Sequence, residues 1–214
     1  GEKNTIVNEI HNLELAVEKP KMISHKGYNE VAPENTMPAF QAGVENGFTN
    51  FETDIYFTKD NIPVLSHNDL INYMARNKDG SSIKKNKKIS EMTLDELRQY
   101  DFGIYKGQQF AGTKIPTLEE LLSYSSQEKR VAFLHLDLKA SFTYAQKEIM
   151  VNLVKKYGME SKVSWLSFRW TDFDDFDSLA PSMQVELLAP HFSYNLLYAA
   201  QRFDNGLRNV VMSI

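Results

Sequence analysis

The chain has 214 residues, 42% of them hydrophobic and 24% charged, a composition typical of one globular domain rather than of a disordered chain. Its formal net charge is −4, so it lacks the excess of basic residues on which non-specific binding of nucleic acid depends, and we expect no nucleic-acid partner. The absence of cysteine excludes disulfides, thiolate metal sites and a cysteine nucleophile.

The sequence contains no run of the roughly 20 apolar residues that cross a bilayer as a helix. Because the chain starts at Gly1 rather than at a methionine, we expect that a signal or membrane segment upstream has been left out. An exported or membrane-tethered domain is therefore our expectation, with a cytoplasmic enzyme as the alternative. The sequence indicates no oligomeric state.

Short β-branched segments alternate with helical patterns along most of the chain, which predicts βα repeats around a parallel sheet. The predicted strands are residues 22–27, 50–57, 130–139, 162–168, 183–189 and 209–214. Between them, Asn35 is predicted to cap a helix that runs to about Asn46, and residues 143–157 form another helix that Gly158 stops. A closed (β/α)8 barrel needs about 250 residues. The sheet is therefore expected to be a barrel truncated after its sixth strand, or a sheet completed in another way.

Residues 68–113 interrupt this alternation and are predicted to be a small insertion in a single domain that spans residues 1–214. The insertion carries a lysine-rich loop and then a short helix at residues 93–100, before Pro116 opens the next helix. We interpret the loop as a solvated face, and peripheral contact with an anionic membrane or polymer is the alternative. Its lysines are Lys84, Lys85, Lys87 and Lys88.

Acidic side chains lie on the second and third long strands. Side chains alternate between the faces of a strand, so Glu52 and Asp54 share one face, and Asp137 shares a face with His135 and Lys139. Carboxylates that point into a barrel are costly unless they are paired or bound to a cation. Three such groups predict an oxygen-rich site for one divalent cation, Mg²⁺ or Ca²⁺.

Two histidines accompany these carboxylates. His25 ends the first strand, and His67 follows the second. Histidines beside a divalent cation provide a general acid and a general base, and Lys26 and Lys139 add positive charge. This combination suits displacement at phosphorus, where catalysis consists mostly of positioning and charge stabilisation.

The order and spacing of these segments resemble the glycerophosphodiester phosphodiesterase family over about residues 22–214. The matching segments are His25-Lys26-Gly27, Ala32-Pro33-Glu34-Asn35-Thr36, Phe51-Glu52-Thr53-Asp54, Pro63-Val64 with His67, Phe110-Ala111-Gly112, Ile115-Pro116-Thr117-Leu118-Glu119-Glu120, Asp137 with Lys139, and Ser167-Phe168. The chain departs from the usual family pattern in two site residues, because Lys26 replaces an arginine and Asp137 replaces a glutamate.

The resemblance implies a (β/α)8 barrel with its site at the C-terminal ends of the strands. It also implies metal ligation by Glu52, Asp54 and Asp137, acid–base roles for His25 and His67, and phosphate contacts from Lys26 and Lys139. Glu34 is a secondary site residue that the family places beside the metal. His135 is a second secondary site residue because it shares a face with Asp137; it contacts substrate or stabilises the ligand shell, or it packs beneath the metal.

The activity implied is metal-dependent hydrolysis of a glycerophosphodiester to glycerol phosphate and an alcohol. A neighbouring hydroxyl of the glycerol attacks phosphorus first, and water then opens the cyclic phosphate. Two alternatives remain open. One is a phospholipase that acts on intact or lyso-phospholipids, and the other is a catalytically weak phosphate-binding module.

Overall fold

A computed structural model of the protein describes residues 23–214. The strands in this range are β1 (Ile23–His25), β2 (Asn50–Phe57), β3 (Pro63–Leu65), β4 (Phe133–Leu138), β5 (Val163–Ser167), β6 (Gln184–Leu188) and β7 (Val210–Ser213). The α-helices are α1 (Met37–Glu45), α2 (Leu94–Leu97), α3 (Leu118–Gln127), α4 (Tyr144–Lys156), α5 (Phe176–Leu179) and α6 (Tyr194–Phe203). Short 3-10 helices cover Ile89–Glu91, Ile104–Lys106, Gln108–Phe110, Glu160–Lys162 and Trp170–Phe173.

The parallel strands lie side by side in the order β1-β2-β4-β5-β6-β7, which is their order along the chain. Helices connect them on the outside, as in a (β/α)8 barrel. The α/β barrel-type fold predicted from the sequence is confirmed, and each of the six predicted strands is present. Among residues 23–214, no hydrogen-bonded pairing joins β7 to β1.

The outer face of the sheet is apolar and packs on the helices. Trp165 of β5 stacks on Phe176 of α5 with ring centroids 5.0 Å apart, and both side chains are fully buried. Phe173 meets Phe203 of α6 edge to face at 5.6 Å. The free energy gained by burying these apolar side chains offsets the conformational entropy lost when the βα units become ordered. The carboxylates of β2 and β4 lie on the opposite face of the sheet.

The short strand β3 pairs with β2 in the antiparallel direction and was not predicted. Its three residues include Pro63 and show no alternation of polar and apolar side chains, so the sequence carries no strand pattern there. The backbone N–H of Ser66 then donates to the carbonyl of Asp54 at 3.0 Å. This strand therefore returns His67 to the end of β2.

Three helix boundaries differ from the prediction. Asn35 does not cap α1, because Thr36 occupies the N-cap position and Asn35 lies one residue earlier in a left-handed conformation, φ 53°. Helix α2 spans four residues rather than eight, with Thr93 as its N-cap. Helix α3 begins after Thr117, whose hydroxyl accepts from the backbone N–H of Glu120.

The segment 68–113 is organised around a hydrophobic cluster of its own beside β3, which includes the buried residues Ile71, Ile89 and Leu97. The buried carboxylate of Asp101 accepts backbone N–H groups from Gly103, Ile104 and Gly112 at 2.7–3.0 Å. No helix within residues 23–214 is long and apolar enough to span a membrane.

Candidate active site

Three carboxylates meet near the C-terminal ends of the parallel strands. The strand register places Asp54 directly beside Asp137, and Glu52 beside His135. One carboxylate oxygen from each of Glu52, Asp54 and Asp137 lies within 4.8 Å of the others. Asp54 and Asp137 are 3% and 4% exposed, so their charges need a compensating cation.

The ammonium group of Lys139 contacts two of these carboxylates. Its Nζ lies 2.8 Å from Oδ2 of Asp137 and 3.5 Å from Oδ1 of Asp54. Burial opposes its charge, but the hydrogen bond to Asp137 and the charges of both aspartates outweigh burial and raise the pKa of Lys139. For Asp137, burial raises the pKa. Lys139 opposes this shift, whereas the charges of Asp54 and Glu52 add to it. Lys139 therefore does not remove the repulsion between Asp137 and its two acidic neighbours.

His67 lies on the other side of Asp54. Its Nδ1 is 3.4 Å from Oδ2 of Asp54, which is longer than a normal hydrogen bond. This nitrogen is buried and has no hydrogen-bond partner among the described residues. The ring is 39% exposed, so it is open to a ligand that also reaches the carboxylates.

The end of β1 supplies the next residues of the site. The backbone register sets His25 opposite Glu52, and the His25 side chain lies outside the described part of the structure. Lys26 follows in a left-handed conformation, φ 56°, and Gly27 continues the turn at φ 77°. A Cβ on Gly27 would lie 2.6 Å from the backbone of Ala39, so only glycine fits between this turn and α1.

The turn directs Lys26 to Glu34, with Nζ 2.8 Å from Oε2. Glu34 also contacts the insertion, because its backbone N–H donates to the hydroxyl of Tyr105 at 3.2 Å. Burial is the main reason that the pKa of Tyr105 rises to about 12, and the charge of Glu34 adds to it. Burial and then the Glu34 carboxylate likewise raise the pKa of Tyr73. Segment 68–113 thus adds two neutral phenols near this edge of the site.

Asn35 is a polar contact of the site that sequence reasoning assigned to helix capping. Its side chain donates to Oδ2 of Asp54 at 3.1 Å and accepts from the hydroxyl of Thr53 at 2.8 Å. The sequence offered one signal of this contact: an asparagine, which tolerates the left-handed region, follows Glu34 directly in the motif.

His135 makes its contacts inside the sheet. Its Nδ1 lies 2.8 Å from Oε2 of Glu186, and its Nε2 lies 3.2 Å from Oδ1 of Asn50. The ring is 5% exposed, and both nitrogens already have partners. These contacts favour the packing role beneath the carboxylates over contact with substrate.

Other lysine and phenylalanine residues that could contact a ligand lie further from the three carboxylates. Lys84, Lys85 and Lys87 line an open groove of about 570 Å³ in the insertion, and they form no ion pair with any described residue. Phe168 and Phe192 follow β5 and β6 and are 63% and 40% exposed. They therefore lie beyond the same strand ends as the carboxylates.

Comparison with known proteins agrees with this arrangement. The glycerophosphoryl diester phosphodiesterase family matches residues 25–199. The chain belongs to this family. It is 31% identical to YhdW of Bacillus subtilis over 86% of this chain and 73% of that protein. It is 29% identical to the glycerophosphodiester phosphodiesterase of Caldanaerobacter subterraneus subsp. tengcongensis, over 79% of this chain and 67% of that protein.

Solved structures of phosphodiesterases share the fold. A Silicibacter pomeroyi protein with the same family name matches with a TM-score of 0.74 and 26% identity, over 88% of this chain and 75% of that chain. An Oleispira antarctica phosphodiesterase, solved with the product sn-glycerol-3-phosphate, matches with a TM-score of 0.73 and 23% identity, over 91% of this chain and 84% of that chain. Family membership makes the chain a phosphoric diester hydrolase, as its motifs predicted.

Proposed function

We propose that this protein hydrolyses glycerophosphodiesters to glycerol phosphate and an alcohol, and that the reaction depends on one divalent cation and two histidines. The observation that carries the proposal is the convergence of Glu52, Asp54 and Asp137 within 4.8 Å, with His67 and Lys139 against the same aspartate. Family membership supplies the substrate class.

The residues fit a divalent cation in charge and in chemistry. Three carboxylates and the Lys139 ammonium leave a formal charge of −2, which one divalent ion neutralises. The donors are all carboxylate oxygens, the ligands that Mg²⁺ and Ca²⁺ prefer. A bound cation would polarise the phosphoryl oxygens and stabilise the charge that builds up on them.

Proton transfer is assigned to His67 and His25. As the acid, His67 would donate a proton from Nε2 to the leaving alkoxide, while its Nδ1 faces Oδ2 of Asp54 at 3.4 Å. His25 receives the second role because its backbone lies opposite Glu52 and because it matches the family motif. We assign His67 as the acid and His25 as the base.

The two lysines are proposed to bind the substrate phosphate. Lys139 already faces two carboxylates, so its charge lies where the phosphate oxygens would meet the cation. The pairing of Lys26 with Glu34 holds the second ammonium group in place at the end of β1. A lysine lacks the bidentate fork of arginine, so these contacts stabilise charge without fixing the orientation of the phosphate.

A second candidate substrate is an intact or lyso-phospholipid. The observation that favours it is the exposure of Phe168 and Phe192 beyond the strand ends that carry the site. Exposed aromatic side chains at that rim would contact an acyl chain or a lipid surface.

The test is to measure hydrolysis of glycerophosphocholine and lysophosphatidylcholine with Mg²⁺ or Ca²⁺, and again after treatment with EDTA. We expect glycerophosphocholine to be the better substrate and EDTA to abolish its turnover. Turnover at the original rate in metal-free protein would contradict the metal site. A preference for lysophosphatidylcholine that is lost in Phe168→Ser would support the phospholipase, and phosphate binding without turnover would indicate the binding module.

A further inference from the structure

We propose that Asn35 is a positioning residue for the metal ligand Asp54, and that its amide decides which oxygen of Asp54 faces the cation. This inference rests on the proposed metal site. Asn35 is 1% exposed, and both ends of its side-chain amide are bound within the protein.

The orientation of the amide follows from its two partners. The Asp54 carboxylate only accepts hydrogen bonds when it is ionised, so the NH₂ group of Asn35 must face it. The amide oxygen then accepts from the hydroxyl of Thr53, at 2.8 Å. Thr53 and Asp54 are consecutive in β2, and their side chains leave opposite faces of the strand. Asn35 therefore connects both faces of β2 at the position of the metal ligand.

The two oxygens of Asp54 have different surroundings. Oδ2 receives the amide of Asn35 at 3.1 Å and lies 3.4 Å from Nδ1 of His67. Oδ1 lies 3.5 Å from Nζ of Lys139, on the side of Asp137. Asn35 thus binds Oδ2, whereas Oδ1 faces Lys139 and the side of Asp137, and Oδ1 is the oxygen that we assign to the cation. A carboxylate held in this way loses little rotational freedom when the metal binds.

The backbone supports the same role. Asn35 has φ 53°, and its N–H donates to the carbonyl of Lys26 at 2.7 Å, while the N–H of Lys26 donates to the carbonyl of Glu52 at 2.8 Å. The left-handed region disfavours most non-glycine residues, although asparagine tolerates it better than most. Asn35 therefore joins a metal ligand to the Lys26 turn, and Lys26 itself bonds to the β2 backbone.

The experiment uses Asn35→Gly in the full chain, because glycine adopts φ 53° without strain and the variant loses only the amide. The dissociation constants of Mg²⁺ and Ca²⁺ are measured by titration calorimetry without substrate, together with kcat on glycerophosphocholine. We expect the metal dissociation constant to rise and kcat to fall, each by about 10- to 100-fold.

Two further variants separate positioning from general stability. Thr53→Val removes the hydroxyl that anchors the amide, and we expect a loss of metal affinity of about 10-fold, the lower end of that range. Thr36→Val is the matched control, because it deletes a buried hydroxyl that donates to the carbonyl of Pro33 in the same segment and does not contact Asp54. Its metal affinity should equal that of the wild type.

Wild-type metal affinity in folded Asn35→Gly would overturn the role of Asn35, as would an equal loss of affinity in Thr36→Val. If Asn35→Gly fails to fold by circular dichroism, wild-type affinity in Thr53→Val overturns it instead. A wild-type chain that binds neither cation would overturn the metal site of the proposed function itself.

Discussion

Two buried aspartates of this protein have opposite surroundings. Asp137, at the strand ends, faces Lys139 but is crowded by Asp54 and Glu52, and burial with this crowding raises its pKa. Asp101, in the insertion, accepts three backbone N–H groups, which outweigh burial and lower its pKa. A buried carboxylate that backbone donors satisfy stabilises its loop. One that is crowded by other carboxylates is held ready for a cation.

The two regions also differ in the sequence separation between their interacting residues. The Asp101 partners lie 2, 3 and 11 residues away. The site combines residues from β1, β2, the segment after β3, and β4, which only the barrel brings together. A change in the insertion should therefore alter stability locally, and a change at the strand ends should alter chemistry.

The largest expected effect is on the crowded carboxylates. Asp137→Asn should lower kcat by about 10⁴-fold, because a bound cation contributes several kcal/mol to the transition state. The unfolding free energy of the metal-free variant should equal or exceed that of the wild type at pH 7, because the fold raises the pKa of Asp137 and so disfavours its charge. Kinetics and urea denaturation in EDTA measure both. A less stable variant with unchanged kcat would instead give Asp137 the stabilising role that we assign to Asp101.

The histidines come next. His25→Ala and His67→Ala should each lower kcat by about 10²–10⁴-fold and leave the metal dissociation constant nearly unchanged. On a nitrophenyl phosphodiester, whose leaving group needs little protonation, His67→Ala should recover part of the loss and His25→Ala should not. Equal losses on both diesters would refute this division of roles, and near-wild-type rates would remove that histidine from the mechanism.

A third prediction concerns the layer beneath the site. His135→Leu leaves Glu186 buried without its partner, and the unfolding free energy should fall by about 3–5 kcal/mol. Metal affinity of the folded variant should stay close to the wild type, because His135 contacts no metal ligand through its ring nitrogens. The double variant His135→Leu with Glu186→Leu serves as the control and should regain much of the stability. A loss of metal affinity without a loss of stability would show that His135 belongs to the metal site.

The smallest effect is expected in the insertion. Asp101→Asn places an amide NH₂ against the backbone N–H of Gly112 and should cost about 1–3 kcal/mol of stability with a minor change in kcat. Because the folded pKa of Asp101 is lowered, the contribution of this group is present above the unfolded pKa of about 3.9 and is lost as pH falls below it. The difference in stability between wild type and Asp101→Asn should therefore shrink in acid. A constant difference between pH 7 and pH 3 would contradict this assignment.

The sequence by itself determined the βα order, the six parallel strands and the residue types of the site. Alternation along β2 and β4 places Glu52 with Asp54 and His135 with Asp137 on shared faces, because the period of a strand is fixed by its backbone. Glycine at position 27 was also readable as a motif residue, and the structure gives its reason in the contact with Ala39.

The tertiary structure alone decided which polar residues meet. Asn35 looked like a helix cap because capping and left-handed turns favour the same residue types, and only the position of β2 shows that its amide binds Asp54. His135 and Asp137 share a face, yet Glu186 from β6 engages one and Lys139 the other. The pairing of His135 with Glu186 joins residues 51 positions apart in the sequence, which local patterns do not encode.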